Sequence, residues 1–145
     1  MASTAATLSP TDLLGVPLAD DDPVRLLKAL QAGLPARALT QFKRRAGLAD
    51  TDLAGLLRIG ARTLTRVKGG GTRRLPADLS ERLYALAAVY AEAEQVFGSH
   101  ATALDWLAAP QFAFRGKTPR ELLASELGRQ QVSRLLKRIE HGLVA

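Results

Sequence analysis

Residues 118–142, TPRELLASELGRQQVSRLLKRIEHG, carry a helix-start signal at one end and a helix-stop signal at the other. Thr118 and Glu121 have the spacing of a capping box, in which each side chain accepts a hydrogen bond from the backbone N–H of the other residue, and Pro119 suits the first helical position. Apolar residues recur at helical spacing further on, at Val132, Leu135, Leu136 and Ile139. Because Gly142 suits the left-handed position after a helix, the stretch predicts a compact helical module.

The composition favours helices in the rest of the chain as well. Leucine and alanine are abundant, and aromatic residues make up only 5% of the 145 residues, so the core must consist mainly of aliphatic side chains that suit helices. No stretch keeps the alternating polarity of a half-buried strand. We therefore expect an all-α protein, with one domain or two small helical domains that share a core.

The chain lacks the features of secreted and membrane proteins. It contains no cysteine, which excludes disulfides and thiolate zinc sites. The first ten residues, MASTAATLSP, have neither the basic nor the apolar region of a signal peptide, and no apolar run approaches the roughly 20 residues that cross a bilayer. We expect a soluble, cytoplasmic protein without membrane contact.

Cap and turn residues divide the chain into a series of helices. Residues 1–21 are predicted to form a flexible arm, and the first main helix is predicted to begin after Asp22 and to end at Gly33. The side chains expected to face the core from this helix are Val24, Leu27 and Leu30. Further helices are expected at about 35–45, in two short segments between 49 and 68, and at 76–97, 100–108, 119–127 and 129–141, with Gly128 separating the last two.

The net charge of +6 is concentrated in one part of the chain. Residues 41–75 contain nine Lys or Arg and two Asp or Glu, whereas all other residues together contain eleven and twelve. Such a local excess suits contact with a polyanion such as DNA. A solvated basic face is an equally good explanation, so charge alone leaves both interpretations open.

Within this basic stretch, residues 50–68, DTDLAGLLRIGARTLTRVK, have the burial pattern of a helix-turn-helix. The residues expected to be buried are Leu53, Leu57, Ile59, Leu64 and Val67. Long cationic and short hydroxyl side chains then remain at or near the exposed side, where they suit base edges and phosphates in a major groove. The predicted DNA-binding residues of this segment are Arg58, Arg62, Thr63, Thr65, Arg66 and Lys68.

Two residues depart from the usual pattern of this motif. Arg58 stands in the turn where many such motifs have glycine, which requires a different backbone path or an arginine at positive φ. Gly60 stands where a Ser or Thr N-cap is common, and this change costs only roughly a few tenths of a kcal/mol. These departures leave a further interpretation open, in which the protein has lost DNA binding.

A glycine-rich segment, Gly69-Gly70-Gly71, follows the predicted recognition helix and leads to Arg73 and Arg74. A flexible loop that ends in two arginines suits the phosphate backbone beside that helix, so both are predicted DNA-binding residues. A plain connector with solvated arginines is the alternative. The segment lacks the Gly-Lys-Ser/Thr of a nucleotide-binding P-loop.

The sequence contains no arrangement that favours catalysis or metal binding. His100 and His141 are the only histidines, and neither has the glutamate or histidine at i+4 that a helical metal site would use. Ser99 and Ser125 lack a nucleophile-elbow pattern. We expect no catalytic residue, no metal and no cofactor, and therefore no enzyme.

Residues 110–117, PQFAFRGK, have the composition of a contact loop, with two phenylalanines and two cations between helices. One phenylalanine is expected to fasten the loop to the helices, and Phe112 is the predicted contact residue. Arg115 and Lys117 suit an acidic or nucleotide-binding cleft. The apolar tail Leu143-Val144-Ala145 would dock on its own domain or insert into a partner.

The C-terminal third contains three motifs, Val96-Phe97-Gly98, Gly116-Lys117-Thr118-Pro119 followed by Glu121-Leu122-Leu123, and Arg138-Ile139-Glu140-His141-Gly142. With these motifs, residues 93–145 resemble the C-terminal toxin-binding domain of the Xre/MbcA/ParS antitoxin family. The helix-turn-helix segment resembles Xre-type repressors in the spacing of Ala54 and Ile59 and in the run from Arg62 to Arg66.

The resemblance implies a partner, a RES-domain toxin that consumes NAD⁺, and neutralisation of this toxin by covering the way to its NAD⁺-binding site. It also implies autorepression, in which the helix-turn-helix binds operator DNA of its own operon. The residues predicted to contact the toxin are Phe112, Arg115, Lys117, Arg120, Arg138, His141, Leu143, Val144 and Ala145.

The predicted organisation is an arm at 1–21, an Xre-like helix-turn-helix region for DNA binding and dimerisation at 22–97, and a helical toxin-binding module at 98–145. A homodimer is expected because bacterial operators have two-fold symmetry and because the longest helix carries a near-heptad seam. The seam consists of Leu79, Leu83, Leu86, Tyr90 and Phe97. The main alternative is a stand-alone transcriptional regulator whose C-terminal module binds a small ligand or only dimerises.

Overall fold

A computed structural model describes residues 7–69 and 73–143, and over these residues the all-α prediction is confirmed. The helices are α1 (Pro10–Leu14), α2 (Pro23–Ala32), α3 (Arg37–Ala46), α4 (Asp50–Leu57), α5 (Ala61–Lys68), α6 (Ala77–Phe97), α7 (His100–Ala108), α8 (Pro119–Leu122) and α9 (Glu126–Glu140). A 3₁₀ turn covers Phe112–Phe114. One cluster of buried apolar residues extends from Leu13 in α1 to Leu136 in α9, so the two predicted regions share a single interior.

α6 lies at the centre of this interior and packs against helices that precede and follow it in sequence. Tyr90 of α6 meets Phe42 of α3 in an edge-to-face contact, with ring centroids 5.1 Å apart. On the C-terminal side α9 packs along α6, and the Ser133 hydroxyl donates a hydrogen bond of 2.6 Å to the Glu92 carboxylate. α6 therefore ties the helix-turn-helix to the C-terminal helices.

The near-heptad seam of α6 is buried inside the protein, so the prediction that it forms a dimer interface was wrong. Four of its residues are at most 3% exposed, namely Leu79, Leu83, Leu86 and Tyr90. The fifth, Phe97, packs against Trp106 with ring centroids 5.3 Å apart. Heptad-like spacing marks any helix that buries one broad face, and it does not distinguish an internal neighbour from a second copy.

The N-terminal segment forms a helix where a flexible arm was predicted. Ser9 and Asp12 form a capping box at the start of α1, and Leu13 and Leu14 are fully buried. The backbone N–H of Leu8 donates a hydrogen bond of 2.8 Å to the Glu94 carboxylate. The prediction was wrong for these residues because α1 is too short to show a helical pattern, and its burial depends on α3 and α6. Residues 1–6 lie outside the described residues.

α2 begins and ends as predicted but turns a different face to the core. Asp22 caps its first turn, accepting from the backbone N–H of Val24 at 3.1 Å. Val24 and Leu27 are 63% and 49% exposed, whereas Leu30 is buried. The prediction that all three face the core was correct only for Leu30, because four large aliphatic residues on ten positions leave the orientation to the neighbouring helices.

Gly128 was predicted to separate two helices, and this prediction was wrong. It lies buried in the first turn of α9. The Ser125 hydroxyl caps this helix by accepting from the Gly128 backbone N–H at 2.9 Å. A Cβ atom on Gly128 would overlap the Leu122 carbonyl oxygen. Glycine is present here because α8 and α9 approach closely, not because a helix ends.

Candidate nucleic-acid and partner interfaces

α4 and α5 form the predicted helix-turn-helix, joined by a turn in which Arg58 adopts the left-handed conformation with φ 59°. The predicted alternative of an arginine at positive φ is therefore the one the chain adopts. The Arg58 N–H donates to the Gly55 carbonyl at 3.2 Å, and the Ile59 N–H donates to the Ala54 carbonyl at 3.0 Å. Gly60 is the N-cap of α5 and gives no side-chain cap. The turn thus closes without glycine, at the cost of local strain.

α5 presents three of its predicted DNA-binding side chains to solvent. Arg62, Thr65 and Arg66 are exposed, and Thr63 is half-buried at the edge of the helix. The Thr65 hydroxyl donates a hydrogen bond of 3.0 Å to the Ala61 carbonyl. Leu64 is buried beneath them at 2% exposure and holds this face outward.

Lys68, the last residue of α5, is bound to the protein rather than free in solvent. Its Nζ lies 2.7 Å from one carboxylate oxygen of Asp50, and the Nζ of Lys43 lies 3.4 Å from the other. The hydrogen bond from Lys68 is the largest cause that lowers the pKa of the Asp50 carboxyl, and Lys43 lowers it further. Lys43 and its neighbour Arg44 lie in the basic stretch but were not among the predicted site residues. The Lys43-Arg44-Arg45 run in the last turn of α3 is the signal that was missed.

The two arginines after the glycine-rich segment have different surroundings. The Arg74 guanidinium donates a hydrogen bond of 2.8 Å to the Gly33 carbonyl, and a short bridge pairs Arg74 with Pro35. Arg73 is exposed. Gly70, Gly71 and Thr72 lie outside the described residues. Arg74 therefore fastens this segment to the end of α2, which leaves Arg73 as the freer of the two candidates.

A second surface is formed by the loop at residues 110–117, called the contact loop below. Phe112 is 100% exposed, whereas Phe114 is partly buried against the core, as predicted for one of the pair. The backbone closes on itself because the N–H groups of Gln111 and Gly116 donate to the carbonyls of Lys117 and Gln111, each at 3.0 Å.

Both cations of the contact loop are exposed, and one of them has a left-handed backbone conformation. Arg115 has a left-handed φ of 56° at the end of the 3₁₀ turn, and Lys117 follows two residues later. Neither side chain forms an ion pair or hydrogen bond within residues 7–69 and 73–143. Both are thus available to a partner.

Arg120 lies in α8, which follows the contact loop. It is half-buried and lines a groove with Thr51, Asp52 and Gly55 of α4. α8 itself is held by the predicted capping box, in which the Thr118 N–H donates to the Glu121 carboxylate at 2.8 Å. Arg120 therefore faces the first helix of the helix-turn-helix, a position that sequence spacing could not reveal.

The remaining predicted partner residues lie at the end of α9. Arg138 and His141 are exposed, and Leu143 is 69% exposed. The Leu143 N–H donates to the Arg138 carbonyl at 2.8 Å, and Gly142 has the predicted positive φ, 69°. Val144 and Ala145 lie outside the described residues. Across the described part of the chain, no hydrogen bond or ion pair joins this end to the contact loop.

His100 has a structural partner that its sequence neighbours did not predict. Its Nδ1 contacts the buried carboxylate of Glu94, and its Nε2 lies 2.7 Å from the Arg45 carbonyl oxygen. The same carboxylate accepts from the Leu8 N–H. These contacts join α3, α6 and α7 with the segment that precedes α1. In residues 7–69 and 73–143, no group of three or more His, Asp or Glu side chains has the arrangement of a metal site, and no helix is long and apolar enough to cross a membrane.

Two known families match consecutive parts of the chain. Residues 25–88 match the antitoxin Xre-like helix-turn-helix domain, and residues 92–142 match the antitoxin Xre/MbcA/ParS C-terminal toxin-binding domain. An antitoxin Xre from Pseudomonas putida is 40% identical over 68 residues, which cover 47% of this chain and 43% of the relative. The match therefore spans less than half the length of that relative. An antitoxin Xre from Photorhabdus laumondii subsp. laumondii is 28% identical over 117 residues, or 80% of this chain and 78% of the relative.

The fold also occurs in a solved structure, the crystal structure of the M. tuberculosis MbcT–MbcA toxin–antitoxin complex. The similarity has a TM-score of 0.55 at 22% sequence identity and covers 76% of this chain and 96% of the matched chain. At this level of identity the similarity concerns the arrangement of helices.

Proposed function

Since this chain belongs to the Xre/MbcA/ParS family of antitoxins, we propose that it neutralises a RES-type toxin, an enzyme that degrades NAD⁺, by covering the toxin's active site. Neutralisation of this kind needs a well-packed interface and no chemistry. The observation that carries the proposal is the contact loop, where a fully exposed Phe112 projects from a backbone that is already closed. A large aromatic side chain on a preorganised loop is a typical interface anchor.

The charges around this anchor suit the proposed target. Arg115 and Lys117 are exposed beside Phe112. Such cations suit acidic side chains at the rim of the toxin's active site, with which they would pair across the interface. We propose that Arg138, His141 and Leu143, at the end of α9, contact the edge of the same interface.

The test is co-expression with the protein of the neighbouring reading frame, which the proposal requires to be a RES-domain toxin, with co-purification and cellular NAD⁺ as readouts. Reversing two cations, Arg115→Glu with Lys117→Glu, should abolish co-purification and restore NAD⁺ loss. The matched control is Arg44→Glu with Arg45→Glu, which reverses two exposed cations of α3 outside the proposed toxin interface. If the wild-type chain neither co-purifies with the toxin nor preserves NAD⁺, the proposal is wrong and a stand-alone regulator is the better description. Deleting residues 98–145 is unsuitable as a test because α9 is part of the shared core.

We further propose that α5 binds operator DNA of its own operon and represses it. The exposed Arg62, Thr65 and Arg66 on a helix anchored by Leu64 support this proposal, since such side chains read base edges and phosphates in a major groove. A promoter–reporter fusion should be repressed by the wild-type chain and released by Arg62→Gln with Arg66→Gln. If Arg115→Glu with Lys117→Glu releases the reporter while Arg62→Gln with Arg66→Gln still represses it, this assignment is contradicted.

Binding to a two-fold operator requires two copies, and we propose that they meet through the outer face of α2. Val24 and Leu27 are its exposed apolar pair. In an antiparallel pair of α2 helices, acidic Asp21 at one end comes near Lys28 of the other copy, which favours this arrangement. Val24→Glu with Leu27→Glu should convert a dimer to a monomer in light scattering. A dimer that persists in this variant would exclude the α2 face.

A further inference from the structure

We propose that a groove between α3 and α5 is a second contact for phosphates of the DNA backbone, and that Asp50 at its rim competes with those phosphates for two lysines. The proposal rests on the DNA binding proposed above. It extends the contact surface from the recognition helix to α3, and it gives a carboxylate of the protein a role in limiting DNA affinity.

The groove is shallow, encloses about 410 Å³, and brings together cations from two helices. Its lining residues are Thr40, Lys43, Arg44, Gly47, Leu48 and Lys68. Lys43 and Arg44 come from the last turn of α3, and Lys68 comes from the last turn of α5. Three cations thus surround one opening, although Lys68 lies 25 positions after Lys43 in sequence.

The groove lies on a flank of the recognition helix. At about 100° per residue, Lys68 is displaced about 60° around α5 from Thr65, so it lies at the edge of the exposed face. A helix with its side chains is about as wide as the major groove, roughly 12 Å. A helix seated there has its flanks beside the two sugar–phosphate chains. The flank that carries Lys68 therefore brings α3 toward one of these chains.

The start of α4 does not offer the phosphate contact that a helix N-terminus can provide. Backbone N–H groups at such a position ordinarily attract anions. Here the first turn contains Asp50 and Asp52, whose charges repel a phosphate. The backbone contact on this flank must come from side chains outside α4, and the groove on α3 supplies them.

Asp50 holds two of the three cations before DNA arrives. It binds Lys68 at 2.7 Å and Lys43 at 3.4 Å, while Arg44 is exposed and forms no ion pair among the described residues. A phosphate that enters the groove shares these lysines with the carboxylate and gains Arg44. Asp50 thus positions the lysines and at the same time weakens their attraction for the backbone.

The test is the salt dependence of binding to a duplex that carries the chain's own promoter. Each cation–phosphate contact contributes about 0.9 to the slope of log K against log salt. Lys43→Gln with Arg44→Gln should reduce the slope by about two and lower affinity on promoter and unrelated duplexes alike. The matched control is Arg45→Gln, which removes a neighbouring exposed cation that does not line the groove, and it should leave the slope unchanged. Asp50→Asn should raise affinity several-fold and steepen the slope.

The outcomes separate this inference from the DNA binding on which it rests. If the wild-type chain does not bind the promoter duplex, the proposed repression fails. If it binds and loses affinity in Arg62→Gln with Arg66→Gln, but the groove variant behaves like Arg45→Gln, the inference about α3 is overturned. An Asp50→Asn protein with unchanged melting temperature and unchanged or lower affinity would overturn the competing role of Asp50.

Discussion

The surface proposed for DNA and the contact loop differ in how firmly the protein holds their side chains. On the DNA side, Lys68 is bound to Asp50 and Arg74 to a backbone carbonyl, so the protein itself positions these two cations, whereas Arg62 and Arg66 are exposed. In the contact loop the backbone is closed, but Phe112 is fully exposed and the two cations have no partner among the described residues. If both proposals hold, a regular polyanion binds cations that are partly positioned in advance, whereas a protein partner completes the contacts of the loop.

The largest expected effect comes from a substitution in the core, which would disrupt both surfaces at once. In Gly128→Ala the new methyl group overlaps the Leu122 carbonyl, so α8 and α9 must separate. We expect the free energy of unfolding to fall by about 3 kcal/mol, and both surfaces to be lost together. Gly55→Ala is the matched control, because its methyl group enters open space in α4 and should stabilise by about 0.5–1 kcal/mol. Urea unfolding measures both, and equal stabilities would contradict the close approach of α8 and α9.

The next effect separates the surfaces. Phe112→Ala should weaken toxin binding by at least about 2 kcal/mol, or roughly 30-fold, because the side chain is an exposed anchor. The melting temperature and the DNA affinity should not change. Leu127→Ala removes another large exposed side chain, 66% exposed on α9, and should leave calorimetric affinity for the toxin intact. An equal loss in both variants would mean that the interface is centred elsewhere.

A smaller change concerns the strain on the DNA side. Arg58→Gly relieves a left-handed residue that costs about 1–2 kcal/mol, and the greater freedom of unfolded glycine cancels part of this gain. We expect a net stabilisation of about 0.5–1 kcal/mol in thermal unfolding, together with weaker DNA binding. Arg66→Gly, in ordinary helical geometry, should instead destabilise by about 1 kcal/mol. Destabilisation by both changes would show that the turn is not strained.

The smallest effect is a pH dependence on the partner side. Hydrogen bonds from the backbone and the hydroxyl of Thr118 hold the pKa of Glu121 below its ordinary value of 4.5. The carboxylate therefore stabilises α8 above pH 4.5, and this contribution is lost as pH falls through the lowered pKa. The melting temperatures of wild type and Glu121→Gln should differ slightly at pH 7 and converge toward pH 3. Glu81→Gln, an exposed carboxylate outside a cap, is the control, and a constant difference for Glu121→Gln would contradict the prediction.

Features encoded within a few residues were predictable from the sequence. The capping box of Thr118 and Glu121, the N-cap at Asp22 and the positive φ at Gly142 each depend on local hydrogen bonds or backbone conformation. The helix-turn-helix was predictable for a related reason, since its buried and exposed residues follow helical spacing. The exposed face of α5 came from the same reasoning, whereas Phe112 was predicted from the composition of its loop.

Features that depend on distant neighbours were not predictable. Spacing alone cannot tell that the α6 seam is covered by the protein's own helices, or that Val24 points to solvent while Leu30 is buried. The ion pairs of Asp50 join it to Lys43 and Lys68, which lie 7 and 18 positions away on different helices. The groove on α3 depends on these pairs, so a count of basic residues locates the charged region but not the side chains that share one opening.

Because both surfaces are supported by a single interior, they are expected to be lost together when the protein unfolds. Because α6 packs against both α3 and α9, unfolding at one end removes apolar contacts from the other. A cut through either surface is expected to remove part of the buried cluster that supports the other surface. If the toxin and the operator are the two partners, as proposed, turnover of this chain frees the enzyme and derepresses the operon in the same event. The rate of one unfolding reaction then sets the timing of both responses.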